Sequence, residues 1–440
     1  MIITLSSIIV VLILLIISIS KFKLHPFIAL ILASVGLGLL IGFDGVKTIE
    51  VLLNGFSGTL KWIAIVVILG AFIGEVLNET GGAKRISNAI LKLAGQKRIP
   101  WAMGITGYIV SIPVFVDVAY ILFHPIVEAL SKKSKTPVIV IGLSLAAGLT
   151  VSHTLMPPTP GPLAVAALLE ANLGRMLLIN SIVAVFAVIG GVLWAKTYCR
   201  KFTIDFDKNN LNEELEVVQN ESKKQLILLD LLPILVPILL MGIGAFIENN
   251  ESALGKIFAF VSIPMVAVFI GAFIAMLNYL WNHKKSNVNK LVDAAIVKSA
   301  LVIMITGAGG AFGYIIRESG IQDSLGTYFV SMPYLSFLLP FILAAVLTTS
   351  TGSITVSLIG AASILGPMSH MMPYSPELMG ALIGCGAFCV FHANSSFFWL
   401  LNRLHNIPVN TLYKTYTLQS LIMGLSGFIG VCLLYALGVR

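Results

Sequence analysis

The chain has 440 residues, 57% of them hydrophobic and 11% charged, and a formal net charge of +8. Its mean hydropathy is +0.97. Soluble domains carry about 25% charged residues, so the composition excludes that class and reads as an all-α polytopic membrane protein.

The basic residues are spread over short segments between apolar runs, which argues against a nucleic-acid partner and makes them a topology signal. A helix crossing a bilayer needs about 20 apolar residues. The first run, 2–20, has no basic leading region and no small-residue cleavage site, so it is predicted to be a retained span rather than a signal peptide. Spans are then expected at 24–42, 60–78, 138–169 and 176–198, and after a polar connector (200–228) at 229–247, 258–281, 299–317, 377–402 and 413–438. Runs 100–131 and 333–366 carry polar tips at their centres, Ser111-Ile112-Pro113 and Thr348 to Ser353, and are expected to be re-entrant hairpins. Cys199, Cys385, Cys389 and Cys432 lie in or beside apolar runs and read as small core residues, neither a disulfide nor a metal centre.

Spans 138–169 and 377–402 are predicted to be broken. In the first, Ser152-His153-Thr154-Leu155-Met156-Pro157-Pro158-Thr159-Pro160-Gly161-Pro162 sets four prolines and a glycine within six residues. Proline removes a backbone donor and clashes with the preceding turn, so a continuous helix cannot pass. Irregular backbone at membrane depth is tolerated only where protein buries it or a cavity adjoins it.

A spacing of 239 residues relates the two halves. It sets Glu79-Thr80-Gly81 on Glu318-Ser319-Gly320, His153 on His392, and tip Ser111–Pro113 on Ser350–Gly352; Gly70 to Gly74 meets Gly309 to Gly313 at or within one residue of it. Five crossings and one hairpin per half make the second half (229–440) an inverted copy of the first (1–199). Crossing at each span then puts 22 of the 28 basic residues on the side of the connector, which is cytoplasmic by the positive-inside rule, with both termini outside.

In inverted-repeat transporters the substrate lies near the midplane, where breaks and tips converge and free helix N-termini suit an anion. Substrate contacts are therefore expected from Ser111, Ser152, His153, Thr154, Thr349, Ser350, Thr351, Gly352, Ser353, His392, Asn394 and Ser395, which donate without burying a fixed charge. Asp117, His153 and His392 are the proton-coupling candidates, since ionisable groups inside spans are costly. Asp117 also reads as a cation ligand or a local structural carboxylate. His124 has no repeat partner and ranks lower, and Glu79 and Glu318 read as structural acids at helix ends. No Walker motif, His-Glu-x-x-His, Rossmann glycine pattern or nucleophile elbow occurs, and span centres are nearly free of Lys and Arg. An enzyme, a primary pump and a voltage sensor are not expected.

His153-Thr-Leu-Met-Pro157-Pro158-Thr159-Pro160-Gly161-Pro162 resembles the His-x-x-x-Pro-Pro-His-Pro-Gly-Pro signature of the gluconate permease family of proton symporters. His392-Ala-Asn394-Ser395-Ser396-Phe397-Phe398-Trp399 resembles that family's His-Val-Asn-Asp-Ser-Gly-Phe-Trp, and Gly307 to Phe312 and Ile112 to Phe115 match its style. The resemblance implies proton-coupled uptake of a sugar acid or a small hydroxy or amino acid by a homodimer with no cofactor beyond the coupling ion. Sodium is the alternative ion on the same architecture. Thr159 stands in place of the family's second His, Ser395 in place of its Asp, and Phe397 in place of its Gly.

Overall fold

The computed structural model describes residues 2–94, 98–202, 227–244, 252–282, 287–320, 333–393 and 395–439, and among them it is helical with no strand. Connector residues 203–226 and Asn394 lie outside the described residues. The first half runs α1 (Ile2–Ser20), α2 (Pro26–Leu40), α3 (Gly45–Glu79), α4 (Gly82–Ala94), α5 (Ile99–Val110), α6 (Val116–Ser134), α7 (Val138–Leu155), α8 (Pro160–Leu168) and α9 (Leu173–Thr197). The second runs α10 (Ile227–Gly244), α11 (Ala253–Val261), α12 (Pro264–Asn282), α13 (Val288–Glu318), α14 (Pro333–Thr351), α15 (Ile354–Leu365), α16 (Pro376–Ala387) and α17 (Ser396–His405). It ends in α18 (Val409–Ala436), which holds a π-helical turn at Tyr413–Thr417. Among the described residues, seven helical stretches are long and apolar enough to cross a membrane.

Helix ends follow local chemistry. Asp44 Oδ1 accepts the Lys47 N–H at 2.8 Å and starts α3, fifteen residues ahead of the predicted span at 60. The polar residues Lys47, Glu50 and Asn54 hide this turn-rich stretch from a hydropathy reading, yet an N-cap and one long helix accommodate them. In α13, Asn287 Oδ1 accepts the Lys290 N–H at 3.2 Å. Both long helices then stop in the same way: Gly81 (φ +69°) follows Thr80, and Gly320 (φ +67°) follows Ser319. Only glycine enters this left-handed cap without a Cβ penalty.

The sequence did not announce α4. Lys84, Arg85, Ser87 and Lys92 keep it too polar for a span, while Ala83 and Ile86 are buried. It is an amphipathic helix fixed to the second half: Arg85 Nε and Nη2 each donate to an Asp230 carboxylate oxygen at 2.7 Å, and Nη1 donates to the Thr80 carbonyl at 2.7 Å.

The centre is α7, which is buried on all sides from Val138 to Leu155. It crosses α5 backbone to backbone, because a Cβ on Gly148 would strike the Gly104 carbonyl, and one on Gly107 would lie 2.5 Å from the Leu145 carbonyl. Small residues draw membrane helices together where packing must replace a solvent-driven force. Gly55 and Gly310 do the same for α3 and α13, the most extensively paired helices. Cys385 on α16 and Cys389, two residues past its end, are buried free thiols packed against Gly427 and Gly424 of α18.

Candidate functional site

Each helix break sits beside the tip of its own half. In the first half α7 ends at Leu155, α8 starts at Pro160, and α5 and α6 meet at Ser111–Phe115. Two glycines of α3 make room for them. A Cβ on Gly70 would lie 2.8 Å from the Pro158 carbonyl, and one on Gly74 would strike the Pro113 carbonyl. The break frees the Leu155 carbonyl, which takes a hydrogen bond from Asn180 Nδ2 at 2.7 Å. His153 lies in the last turn of α7, its ring 5.6 Å from that of Phe115. A space of about 10 Å³ remains between Gly70, Ala71, Phe115, His153 and Thr159, roughly enough for one water.

Several hydroxyls here are committed locally. Ser111 Oγ donates to the Val114 carbonyl at 2.9 Å, Thr154 Oγ1 to the Thr150 carbonyl at 2.7 Å, and Thr159 Oγ1 to the Met156 carbonyl. Ser152 Oγ and His153 Nδ1 are different: both are buried with no hydrogen-bond partner among the described residues. A buried polar atom without a partner costs about 1–3 kcal/mol, and these two lie in the last turn of α7, beside the break.

In the second half, α14 turns into α15 through Gly352 (φ +73°), and Ser353 caps α15 by accepting the Val356 N–H at 3.4 Å. Thr351 Oγ1 donates to the Leu347 carbonyl at 2.8 Å and accepts the Ser353 N–H at 3.2 Å. Tip and break are joined directly: His392 Nε2 donates to the Thr349 carbonyl at 2.8 Å, and Thr348 Oγ1 to the Ala387 carbonyl at 2.8 Å. Ser350 is half-buried beside them. Val390, between α16 and α17, has φ +56°, a conformation that a β-branched residue adopts only under constraint. Ser395 is 4% exposed at the start of α17, and its side chain caps no N–H. Asn394, predicted as a substrate contact, is outside the described residues. Asp117 is exposed in the first turn of α6.

A larger cavity, about 310 Å³, lies away from the predicted residues. Asn54 and Thr59 of α3, Tyr314 and Arg317 of α13, Ser363 of α15 and Glu170 after α8 line it. Its volume suits a small metabolite. Arg317 Nη1 donates to Glu170 Oε1 at 2.7 Å, and His370 Nε2 lies 3.5 Å from Oε2. None of these residues stands out alone in the sequence; the signal that would have found them is the 239 spacing. It sets Tyr314 on Glu75 and Thr59 on Lys298, and those two form an ion pair across α3 and α13.

Partial burial pulls the Glu170 carboxyl upward, but the Arg317 hydrogen bond and charge, with His370, outweigh it and hold the group below its ordinary range. The pair therefore contributes its stability above the unfolded carboxylate pKa and loses it as pH falls through the depressed folded value. Glu170 is half exposed, so wild type should exceed Glu170→Gln by under about 1 kcal/mol near neutrality. Thermal unfolding followed from pH 7 downward should show that difference vanish in acid.

The sequence model of the GntP permeases matches residues 2–437. The chain belongs to the GntP permease family. It is 31% identical to a gluconate permease of Pseudomonas aeruginosa over 96% of this chain and 95% of that one. It is 30% identical to a D-serine transporter of Escherichia coli over 98% and 97%. The YdaH transporter of Alcanivorax borkumensis shares the fold at 14% identity, with a TM-score of 0.69 over 94% of this chain and 99% of that one. This GntP permease is thus a multi-pass membrane protein and not an enzyme. The family resemblance read from the two breaks in the sequence is met, and so is the helical membrane fold.

Proposed function

We propose that this GntP permease is a secondary transporter that imports a gluconate-like sugar acid, or a related small organic anion, with protons by alternating access. The observation that carries the reading is the tip-to-break pairing in each half, with Ser152 Oγ and His153 Nδ1 buried beside the first pair and lacking partners. Gluconate and D-serine, named for two relatives, both carry a carboxylate and a hydroxyl. That common chemistry fits neutral donors such as Ser, Thr and His better than a fixed buried cation. In this reading the tip N–H groups and the hydroxyls of Ser111 and Thr349–Ser353 hold the carboxylate, Ser111 and Thr351 giving up their bonds to the Val114 and Leu347 carbonyls as the substrate enters. Ser152, His153, Thr154, His392, Asn394 and Ser395 read the hydroxyls, and Asp117 or a histidine takes the proton.

The space at the first pair is too small for such a substrate, so binding requires a hairpin or break to shift. Two features support alternating access. Helix ends of the halves repeat at the 239 spacing, as at Glu79 and Glu318. The 310 Å³ cavity on the Arg317 side has, at the related positions of the opposite side, the Glu75–Lys298 ion pair. An inverted repeat with one vestibule open and its counterpart closed is the arrangement that rocking of two halves needs. Arg317 then draws the anion inward from outside. The same reading makes the protein a plasma-membrane homodimer with both termini outside and the connector 200–228 in the cytoplasm.

Reconstituted protein should accumulate labelled gluconate, or a sugar acid that raises its melting temperature, when the trans side is alkaline. One pH unit drives about tenfold accumulation per coupled proton. Uptake that follows a sodium gradient and ignores the pH gradient would overturn proton coupling.

A further inference from the structure

We propose that Asp117, Tyr120, His405, His124 and Glu128 form the path along which coupling protons travel between the first hairpin tip and the Lys132/Lys133/Lys135 end of α6. The inference rests on the proton-symport reading above and assigns that reading its route.

Asp117, Tyr120, His124 and Glu128 are spaced three, four and four residues apart, so they form one stripe along α6. At 1.5 Å per residue the stripe covers about 16 Å, half a hydrocarbon core. His405, from the last turn of α17, closes the gap in its middle. Its Nε2 pairs with the Tyr120 hydroxyl at 2.8 Å, and its ring lies 4.8 Å from that of His124. His124 Nε2 in turn donates to the Leu404 carbonyl at 3.0 Å and lies 3.3 Å from Glu128 Oε1. From Tyr120 onward each group thus adjoins the next, and Asp117 stands one turn before Tyr120, a span that a single water covers.

Two further observations favour a transfer path over a structural network. His405 is 5% exposed and its Nδ1 has no partner. The tautomer in which Nε2 accepts the Tyr120 O–H puts the ring hydrogen on that Nδ1, which makes no hydrogen bond among the described residues and is free to be passed on. A purely structural histidine would satisfy both nitrogens. Second, the stripe has no counterpart in the other half. At the 239 spacing, Asp117, Tyr120, His124 and Glu128 fall on Val356, Ile359, Ser363 and Pro367, and His405 falls on Ala166. The fold alone therefore does not require these groups.

The surroundings add few competing charges. On α17 the other ionisable group is Arg403, which is exposed; α18 brings Tyr416, packed on Phe397, with Tyr413 and Lys414 exposed. The one titratable residue of α7 is His153, at the tip end. In each passage one proton leaves the Asp117 carboxyl. Tyr120 gives its hydroxyl proton to His405 and regains one from the Asp117 side, His405 passes one to His124, and His124 passes one to Glu128, which releases it. No bond other than O–H and N–H changes; Asp117, Tyr120 and Glu128 return to their starting states, and each imidazole, left in its other tautomer, is reset by a turn of the ring.

The test uses full-length protein in liposomes, with gluconate, or a sugar acid that raises the wild-type melting temperature more, as the probe. Tyr120→Phe, His405→Gln and Glu128→Gln are compared with wild type in pH-gradient-driven accumulation and in gradient-free substrate counterflow. Driven accumulation should fall about tenfold or more in His405→Gln and Glu128→Gln, with counterflow kept within about twofold. Wild type driven by pH with all three variants equally driven would overturn the path and leave proton symport standing. Loss of counterflow in step with accumulation in all three would also overturn it, because the residues would then serve structure or substrate. Wild type indifferent to the pH gradient would remove proton symport itself, and the path with it.

Discussion

Arg85→Ala is expected to be among the most damaging single substitutions outside the transport site, costing about 3–5 kcal/mol. Asp230 is fully buried, and Arg85 meets both of its carboxylate oxygens at 2.7 Å. The same guanidinium holds the Thr80 carbonyl, one of those left free where α3 ends. Truncation thus strands a buried carboxylate and a helix-end carbonyl together. It also cuts the tie between α4 and α10, which lie 145 residues apart in the chain. Replacing both partners by apolar residues of similar size, Arg85→Met with Asp230→Leu, should recover most of the loss, since a buried ion pair is expensive to half-remove and cheap to remove whole. Thermal unfolding in detergent, read by size-exclusion chromatography, checks both. A melting temperature for Arg85→Ala within a degree or two of wild type would contradict the assignment.

What the sequence disclosed about this fold is what one or two residues decide locally. Prolines 157–162 break α7 from α8 in the structure as the backbone chemistry requires. Gly81 and Gly320 end α3 and α13 because both ends need a left-handed residue. The glycines of Gly70-Ala-Phe-Ile-Gly74 were visible as a repeated pattern, and the structure supplies their reason: Pro158 and Pro113 carbonyls rest on them.

What stayed hidden depends on distant partners. The predicted span begins only at 60 and leaves out the polar start of α3, whose Asn54 and Thr59 line a cavity with Tyr314 and Arg317. The amphipathic α4 falls in no predicted element, and what fixes it, Asp230 against Arg85, lies in the other half. His124 ranked low for want of a repeat partner, whereas its neighbours are Glu128, one turn on in the same helix, and His405 of α17. The i, i+4 spacing of His124 and Glu128 was legible; the approach of α17 was not.

The second large effect concerns the first break. His153 makes no hydrogen bond among the described residues, so its imidazole contributes little polar stabilisation to the ligand-free fold. Its ring packs on Phe115 at the hairpin tip, and its Nδ1 is buried without a partner, as is the hydroxyl of Ser152. Losing a hydrogen bond to an anionic ligand costs about 1.5–3 kcal/mol, or 10- to 150-fold in affinity. His153→Ala should therefore fold normally and bind weakly, a combination that a merely structural histidine does not give. Ser152→Ala should show the same separation to a lesser degree. In this picture the proline-rich break supplies ligand contacts as well as shape, while His392 in the other break is tied to the Thr349 carbonyl and holds tip and break together.

The decisive measurement is calorimetric titration of purified wild type, His153→Ala and Arg317→Ala with gluconate, or with whichever sugar acid raises the wild-type melting temperature. Binding by wild type that weakens at least about tenfold in His153→Ala, with an unchanged melting temperature and a smaller loss in Arg317→Ala, would place the substrate between hairpin tip and broken helix. Equal affinity in wild type and His153→Ala, with binding abolished in Arg317→Ala, would contradict that and put the site in the 310 Å³ cavity instead.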